Sequence, residues 1–150
     1  MATRILISDP LAKEGIDVLE KISGFKVDVK TKLPAEELKR LIKQYDALIV
    51  RSQTKVTKDI IKGADKLKVI GRAGIGLDNV DVNEASKKGI IVMNSPTGNT
   101  TSTAEHTFSL LLALSRNIPQ ADASLKQKRW ERKKLMGVEL YGKTLGIIGL

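Results

Sequence analysis

Two arginines carry the first chemical signal. Arg51 directly follows the apolar run "DALIV", and Arg72 directly follows "LKVIG". A planar guanidinium fork suits a carboxylate or a phosphate, and two forks on separate strand ends are able to meet on one anion. The plainer reading of either residue is a surface arginine reaching water from a strand end. Ser52 adds a hydroxyl next to Arg51. After Arg72 the chain reads "AGIGLDNVD", with Gly74 and Gly76. Glycines let backbone N–H groups turn toward an anion. The spacing is G-x-x-G-x-G, not the dinucleotide pattern G-x-G-x-x-G. Alone it reads as a tight turn; beside Arg72 it reads as an anion-binding loop.

Three other features invite chemistry and mostly fail to support it. His106 neighbours Glu105 in sequence, but consecutive helical side chains point about 100° apart, so they form no dyad. "KQKRWERKK" (126–134) holds six Lys/Arg and one Glu, a local +5 within a total of +9. With one aromatic it is a poor single-strand nucleic-acid platform, and a solvated or interface face is the simpler reading. "GVELYGKT" (137–144) satisfies G-x-x-x-x-G-K-[ST]. A working phosphate loop needs a strand before it and a helix after it. Here a basic stretch precedes and "LGIIGL" follows. The competing reading is a turn at Gly142–Lys143 feeding a buried strand, "TLGIIG". That strand would end at Gly149, where a dinucleotide fingerprint would begin.

The elements that must position these residues alternate. "RILIS" (4–8), "FKVDV" (25–29), "DALIVR" (46–51), "LKVIGR" (67–72) and "IIVMN" (90–94) read as strands, with 25–29 at an edge. Between them lie helical patterns. One follows Asp9 and Pro10, which suit an N-cap and a first helical position. Others cover 34–45, 57–64 with Thr57 as cap, and 81–89. Strand–helix alternation with continuous Ile/Val runs predicts an α/β fold with a doubly wound parallel sheet. Ligands of such sheets sit at the strand carboxyl ends, where Arg51 and Arg72 fall. Beyond residue 95 comes a polar junction, then "FSLLLALSR" (108–116). That segment is apolar nearly all round, so its helix is expected to be fully buried.

Composition narrows the class. Hydrophobic content of 41% supports a core, and 3% aromatics make it aliphatic. No Cys and one His leave no disulfide framework and make a zinc cluster a poor expectation. No signal-peptide pattern or membrane-span pattern appears, so a soluble, cytoplasmic protein is expected.

The stretches "LIVRSQTKVT", "VIGRAGIGLDNVD", "NSPTGNTTSTAEHT", "RNIPQA" and "WERKKLMGVELYGKTLGIIGL" agree in order and spacing with one known group. Together they resemble the D-isomer-specific 2-hydroxyacid dehydrogenases over essentially the whole chain. "WERKK" and "RSQTKVT" favour the phosphoglycerate-oxidising branch over glyoxylate, lactate or formate relatives. The resemblance implies a flavodoxin-like substrate-side lobe at 1–96. It implies the beginning of a Rossmann NAD-binding lobe at 97–150, with a dimerisation helix and arm, and an active cleft between the lobes. It implies NAD-dependent oxidation of 3-phosphoglycerate to 3-phosphohydroxypyruvate, a step of serine biosynthesis, by a homodimer or homotetramer that needs no nucleic acid or membrane. Arg51, Ser52 and Arg72 match substrate ligands, and Gly74 and Ile75 match a loop between substrate and nicotinamide. Some relatives carry Ser or Thr where Ile75 stands, so a backbone contact is what transfers. Asn99 and Thr103 match cleft positions, Thr103 on the cofactor side, and Gly149 matches the first fingerprint glycine. Arg132 and Lys133 match an arm reaching the neighbouring subunit's phosphate site, with Trp130 as an intersubunit anchor. The family's catalytic Arg, Glu and His correspond to positions beyond 150, so this chain alone is expected to be inactive. Another D-2-hydroxyacid dehydrogenase, or a non-catalytic binding or dimerisation module, remains the alternative.

Overall fold

The computed structural model describes residues 2–148. The chain divides into two compact units after Gly98.

The first unit alternates strand and helix: β1 (Thr3–Ile7), α1 (Lys13–Glu20), β2 (Phe25–Val29), α2 (Ala35–Leu41), β3 (Ala47–Val50), α3 (Lys58–Gly63), β4 (Val69–Arg72), α4 (Val82–Lys87) and β5 (Ile91–Asn94). All pairings are parallel, in the order β2-β1-β3-β4-β5. This is the doubly wound arrangement read from the sequence, with β2 at an edge. The order reverses between β1 and β3, which puts the crevice at their carboxyl ends.

Period-two side chains divide the sheet into two faces. Leu6, Leu48 and Ile70 face a closed aliphatic core completed by Leu38, Ile42, Ile60, Ile61 and Ala85 from the α2–α4 side. The opposite face is covered unevenly. Leu19 of α1 lies with Ile5 and Phe25 along a shallow apolar trough of ≈ 460 Å³. On β5, Ile91 and Met93 are largely exposed.

Local details depart from the sequence reading. Asp9 does not cap α1, which starts at Lys13 with Ala12 in the cap position. Its carboxylate goes instead to the turn after β3, described below. Thr57 holds the cap position of α3 but makes no side-chain bond, whereas Asp81 caps α4 by accepting from the Glu84 N–H at 2.9 Å. The 34–45 helix tightens to a 3₁₀ turn over Ile42–Gln44.

The second unit has α5 (Thr100–Ser115) and α6 (Ile118–Lys126). The expected burial of α5 does not occur: Phe108, Leu110, Leu112 and Leu114 are exposed, Leu114 at 78%. Within its unit only α6 packs against α5 among regular elements, and one short helix covers only part of an all-apolar surface. The sequence reading missed α6, which follows left-handed Asn117 and carries Pro119 in its first turn. The expected strand "TLGIIG" does not form among the described residues. A lone strand leaves its ladder groups unpaired, and the second unit's regular elements are the helices α5 and α6 among the described residues. Tyr141–Gly142 form a turn closed by Lys143 N–H to the Leu140 carbonyl at 3.1 Å, and no helix follows among the described residues. That removes the phosphate-loop reading. Gly137 has a packing role instead, since a Cβ there would overlap the Ser115 carbonyl and lie 2.8 Å from Arg116 Cα.

No helix among the described residues is long and apolar enough to cross a membrane.

Candidate anion site

Register offsets the two arginines by one residue on neighbouring strands. Val50 pairs with Arg72, and Arg51 is the next residue after Val50. The Ala73 N–H continues the ladder to the Val50 carbonyl at 2.8 Å. Both residues therefore root at the carboxyl ends of adjacent strands. Their guanidinium groups do not meet in this structure. Arg51 Nη1 makes a long 3.5 Å contact with the Pro10 carbonyl, toward β1. Arg72 folds back over Gly74, where an added Cβ would overlap its Nη1 and lie 2.8 Å from Cζ. Arg72 Nε is buried without an acceptor. Among the described residues no carboxylate pairs with either arginine.

The glycine loop is fixed through its carbonyls. Asn94 Nδ2 donates to the Ile75 carbonyl at 2.7 Å, and the Ser95 N–H donates to the Gly74 carbonyl at 3.0 Å. The Gly74 N–H is satisfied by the Arg72 carbonyl at 2.9 Å. Among the described residues the Ile75 and Gly76 N–H groups meet no acceptor. Two N–H donors without an acceptor and an unpaired guanidinium are groups that suit an anion, with the carbonyls turned away. The Asp78 carboxylate also borders this loop, its Oδ1 2.8 Å from where a Gly76 Cβ would stand. Ile75 projects an exposed apolar side chain from the same loop.

The turn after β3 is equally constrained. Asp9, 1% exposed, accepts from the Arg51 N–H at 2.6 Å, the Thr54 N–H at 3.1 Å and the Thr54 hydroxyl at 2.6 Å. Burial pushes its carboxyl up, but the bonds from Thr54 and Arg51 outweigh burial and hold it below the usual carboxylate range. Asn79 Nδ2 donates to the Arg51 and Thr54 carbonyls, each at 2.7 Å. Ser52 lies exposed in this turn. Asp9, Asn94 and Ser95 fall at strand carboxyl ends, where ligands of such sheets are expected, but the sequence assigns them no role. Thr54 and Asn79 lie in loops and carry no such signal.

The remaining expected residues lie on the second unit. Asn99 precedes α5, and its carbonyl accepts from the Thr103 N–H at 2.9 Å. Thr103 stands exposed in the first turn. Arg132 and Lys133 are exposed in a turn after Trp130, itself 79% exposed. Glu131 is paired with Lys134 at 2.8 Å, leaving Arg132 and Lys133 out of the ion pairs seen among the described residues. Gly149 lies outside the described residues.

Residues 5–140 match the family described as D-isomer specific 2-hydroxyacid dehydrogenase, catalytic domain. The chain belongs to this family. It is 54% identical over 147 residues to D-3-phosphoglycerate dehydrogenase of Archaeoglobus fulgidus, covering 98% of this chain and 28% of that protein. The enzyme of the same name from Methanocaldococcus jannaschii is 56% identical with the same coverage. The chain thus spans little more than a quarter of these relatives. Among solved structures, a Thermus thermophilus protein superposes with a TM-score of 0.85 at 30% identity, over 93% of this chain and 46% of its own. An NAD⁺-bound 3-phosphoglycerate dehydrogenase from Entamoeba histolytica gives 0.69 at 32%, over 77% and 40%.

Proposed function

We propose that this chain supplies the substrate-anion side of an NAD-dependent D-3-phosphoglycerate dehydrogenase. The observation that carries the reading is the unpaired Arg72 guanidinium, with a buried, unsatisfied Nε, beside the free Ile75 and Gly76 N–H groups. The phosphoglycerate-dehydrogenase relatives, at about half identity over nearly the whole chain, favour 3-phosphoglycerate as the anion. The first unit acts as the substrate-side lobe and the second as the beginning of the nucleotide lobe. Arg51, Ser52 and Arg72 hold the carboxylate and phosphate charges, and the loop N–H groups orient the carboxylate. Asn99 contributes a polar contact to the same substrate, and Arg132 and Lys133 serve a phosphate on a neighbouring subunit. This makes the protein a homo-oligomer, with Trp130 as an anchor.

NAD, when bound, would supply the hydride acceptor for oxidation at the substrate C2. The residues here that would suit it are the exposed apolar Ile75 and the exposed hydroxyl of Thr103, with Gly149 the expected first glycine of the dinucleotide fingerprint. No residue of this chain is assigned to proton transfer, so the 150-residue chain alone is expected to show no NAD reduction with 3-phosphoglycerate. The whole protein works in the cytoplasm, in serine biosynthesis.

The test is a titration of the chain with D-3-phosphoglycerate, followed by NMR. Shifts concentrated at the Arg51 and Arg72 Nε–H and the Ile75 and Gly76 amides are expected. Their absence at millimolar ligand contradicts the reading.

A further inference from the structure

We propose that Asp9 and Asn79 form a two-sided clamp that positions Arg51, an inference that rests on Arg51 being a substrate ligand. Strand β3 lies between β1 and β4. Asp9 comes from the end of β1, and Asn79 from the loop after β4. The clamp therefore grips Arg51 from both neighbours. Between them, the two side chains take the N–H and the C=O of Arg51, and the N–H and the C=O of Thr54. Asn79 is itself held in place. Its carbonyl accepts from the Val56 N–H at 2.8 Å, and the Asp81 N–H donates to the Val56 carbonyl at 3.0 Å. The guanidinium is the one polar part of Arg51 that the clamp leaves free.

Such an arrangement is costly for a turn that only needs to change direction. Asp9 is a buried carboxylate satisfied by neutral donors among the described residues, with no cation in pairing distance. Asn79 buries its Oδ1 without a partner while both of its bonds run from Nδ2. A surface turn would satisfy the same four backbone groups with water. The geometry instead fixes the root of a long side chain, which reduces the freedom lost when the guanidinium closes on a ligand. Asp9 and Asn79 touch no substrate in this account; they act through Arg51.

The test uses Asn79→Asp, which replaces the donor amide by oxygens facing two carbonyls, and Asp9→Ala, with Asp9→Asn as the conservative partner. Asp46→Asn, remote from the turn, is the control for general destabilisation. Two readouts are taken: amide hydrogen exchange at Arg51 and Thr54, and the dissociation constant for D-3-phosphoglycerate. Asn79→Asp is expected to speed exchange at Arg51 while Leu48 and Ile70 stay protected, and to weaken binding about tenfold. Asp9→Ala should match or exceed this, and Asp9→Asn should recover most of it through its remaining oxygen. If Asp9→Ala fails to fold, Asn79→Asp decides the matter. Binding within about twofold of the parent in Asn79→Asp, or an equal loss in Asp46→Asn, overturns the positioning role. If the parent chain does not bind 3-phosphoglycerate, the functional reading fails. Unchanged Arg51 exchange in Asn79→Asp separately removes the clamp.

Discussion

Two regions of the sheet treat charge in opposite ways. Around Arg4 of β1 and the residues that lead into β3, with Asp28 reaching in from β2, charges satisfy each other. Arg4 Nη2 meets Asp28 at 2.9 Å, Tyr45 donates its hydroxyl to the same carboxylate at 2.9 Å, and the Arg4 guanidinium lies 4.6 Å over the Tyr45 ring. The Arg4 N–H meets Asp46 at 3.0 Å. At the carboxyl end, the buried acid Asp9 binds backbone and hydroxyl groups, and Arg51 and Arg72 have no carboxylate partner among the described residues. One sheet thus carries arginine that is consumed by structure and arginine that has no carboxylate partner among the described residues. An arginine's type says nothing about which of these it is; its partners do.

The comparison breaks most sharply at Arg72. Arg72→Ala should weaken 3-phosphoglycerate binding about 30-fold, the loss of charge-assisted bonds worth about 2 kcal/mol, with the melting midpoint nearly unchanged. Calorimetric titration and a thermal melt check both halves. Gly74→Ala should follow with about a tenfold loss, because a Cβ displaces the Arg72 guanidinium from its seat. A crystal structure of that variant would show whether Arg72 has moved. In the Arg4 region the effect should appear in stability alone. Asp28→Asn weakens the bonds from Arg4 and Tyr45 and should lower the midpoint of denaturant unfolding, with binding unaffected.

The smallest effect is in acid. The Arg4 guanidinium holds the Asp28 carboxyl below the usual range, with help from Tyr45. The Arg4 N–H does the same for Asp46, and the bonds to Asp9 outweigh its burial. Each carboxyl is depressed in the folded chain, so it favours folding in its ionised form. That stability is complete above the ordinary carboxylate range near 4 and is lost as pH falls through the lower folded values. The melting midpoint should therefore fall on acidification below about pH 5, and less steeply in Asp28→Asn.

The doubly wound sheet and the positions of Arg51 and Arg72 at strand ends were legible because Ile/Val runs mark buried parallel strands. Their partners were not legible. Asp9 reaches Arg51 and Thr54 across more than 40 residues of sequence, and its "DP" context reads equally well as a helix start. The α5 helix misled for a different reason. All-round apolarity states that a surface is unfavourable in water, not that this chain contains what covers it. The "TLGIIG" run forms no strand among its described residues, because composition supplies propensity while a ladder needs a neighbour. The α6 helix escaped notice because Pro119 reads as a stop after α5 as readily as a first-turn residue.

The most direct measurement crosses binding with stability in both regions of the sheet. D-3-phosphoglycerate affinity and melting midpoint would be measured for the parent chain, Arg72→Ala and Asp28→Asn. The predicted result is a separation: Arg72→Ala loses affinity and keeps its midpoint, while Asp28→Asn keeps affinity and loses midpoint. A loss of affinity that simply follows the loss of midpoint, whichever region is altered, would contradict the account.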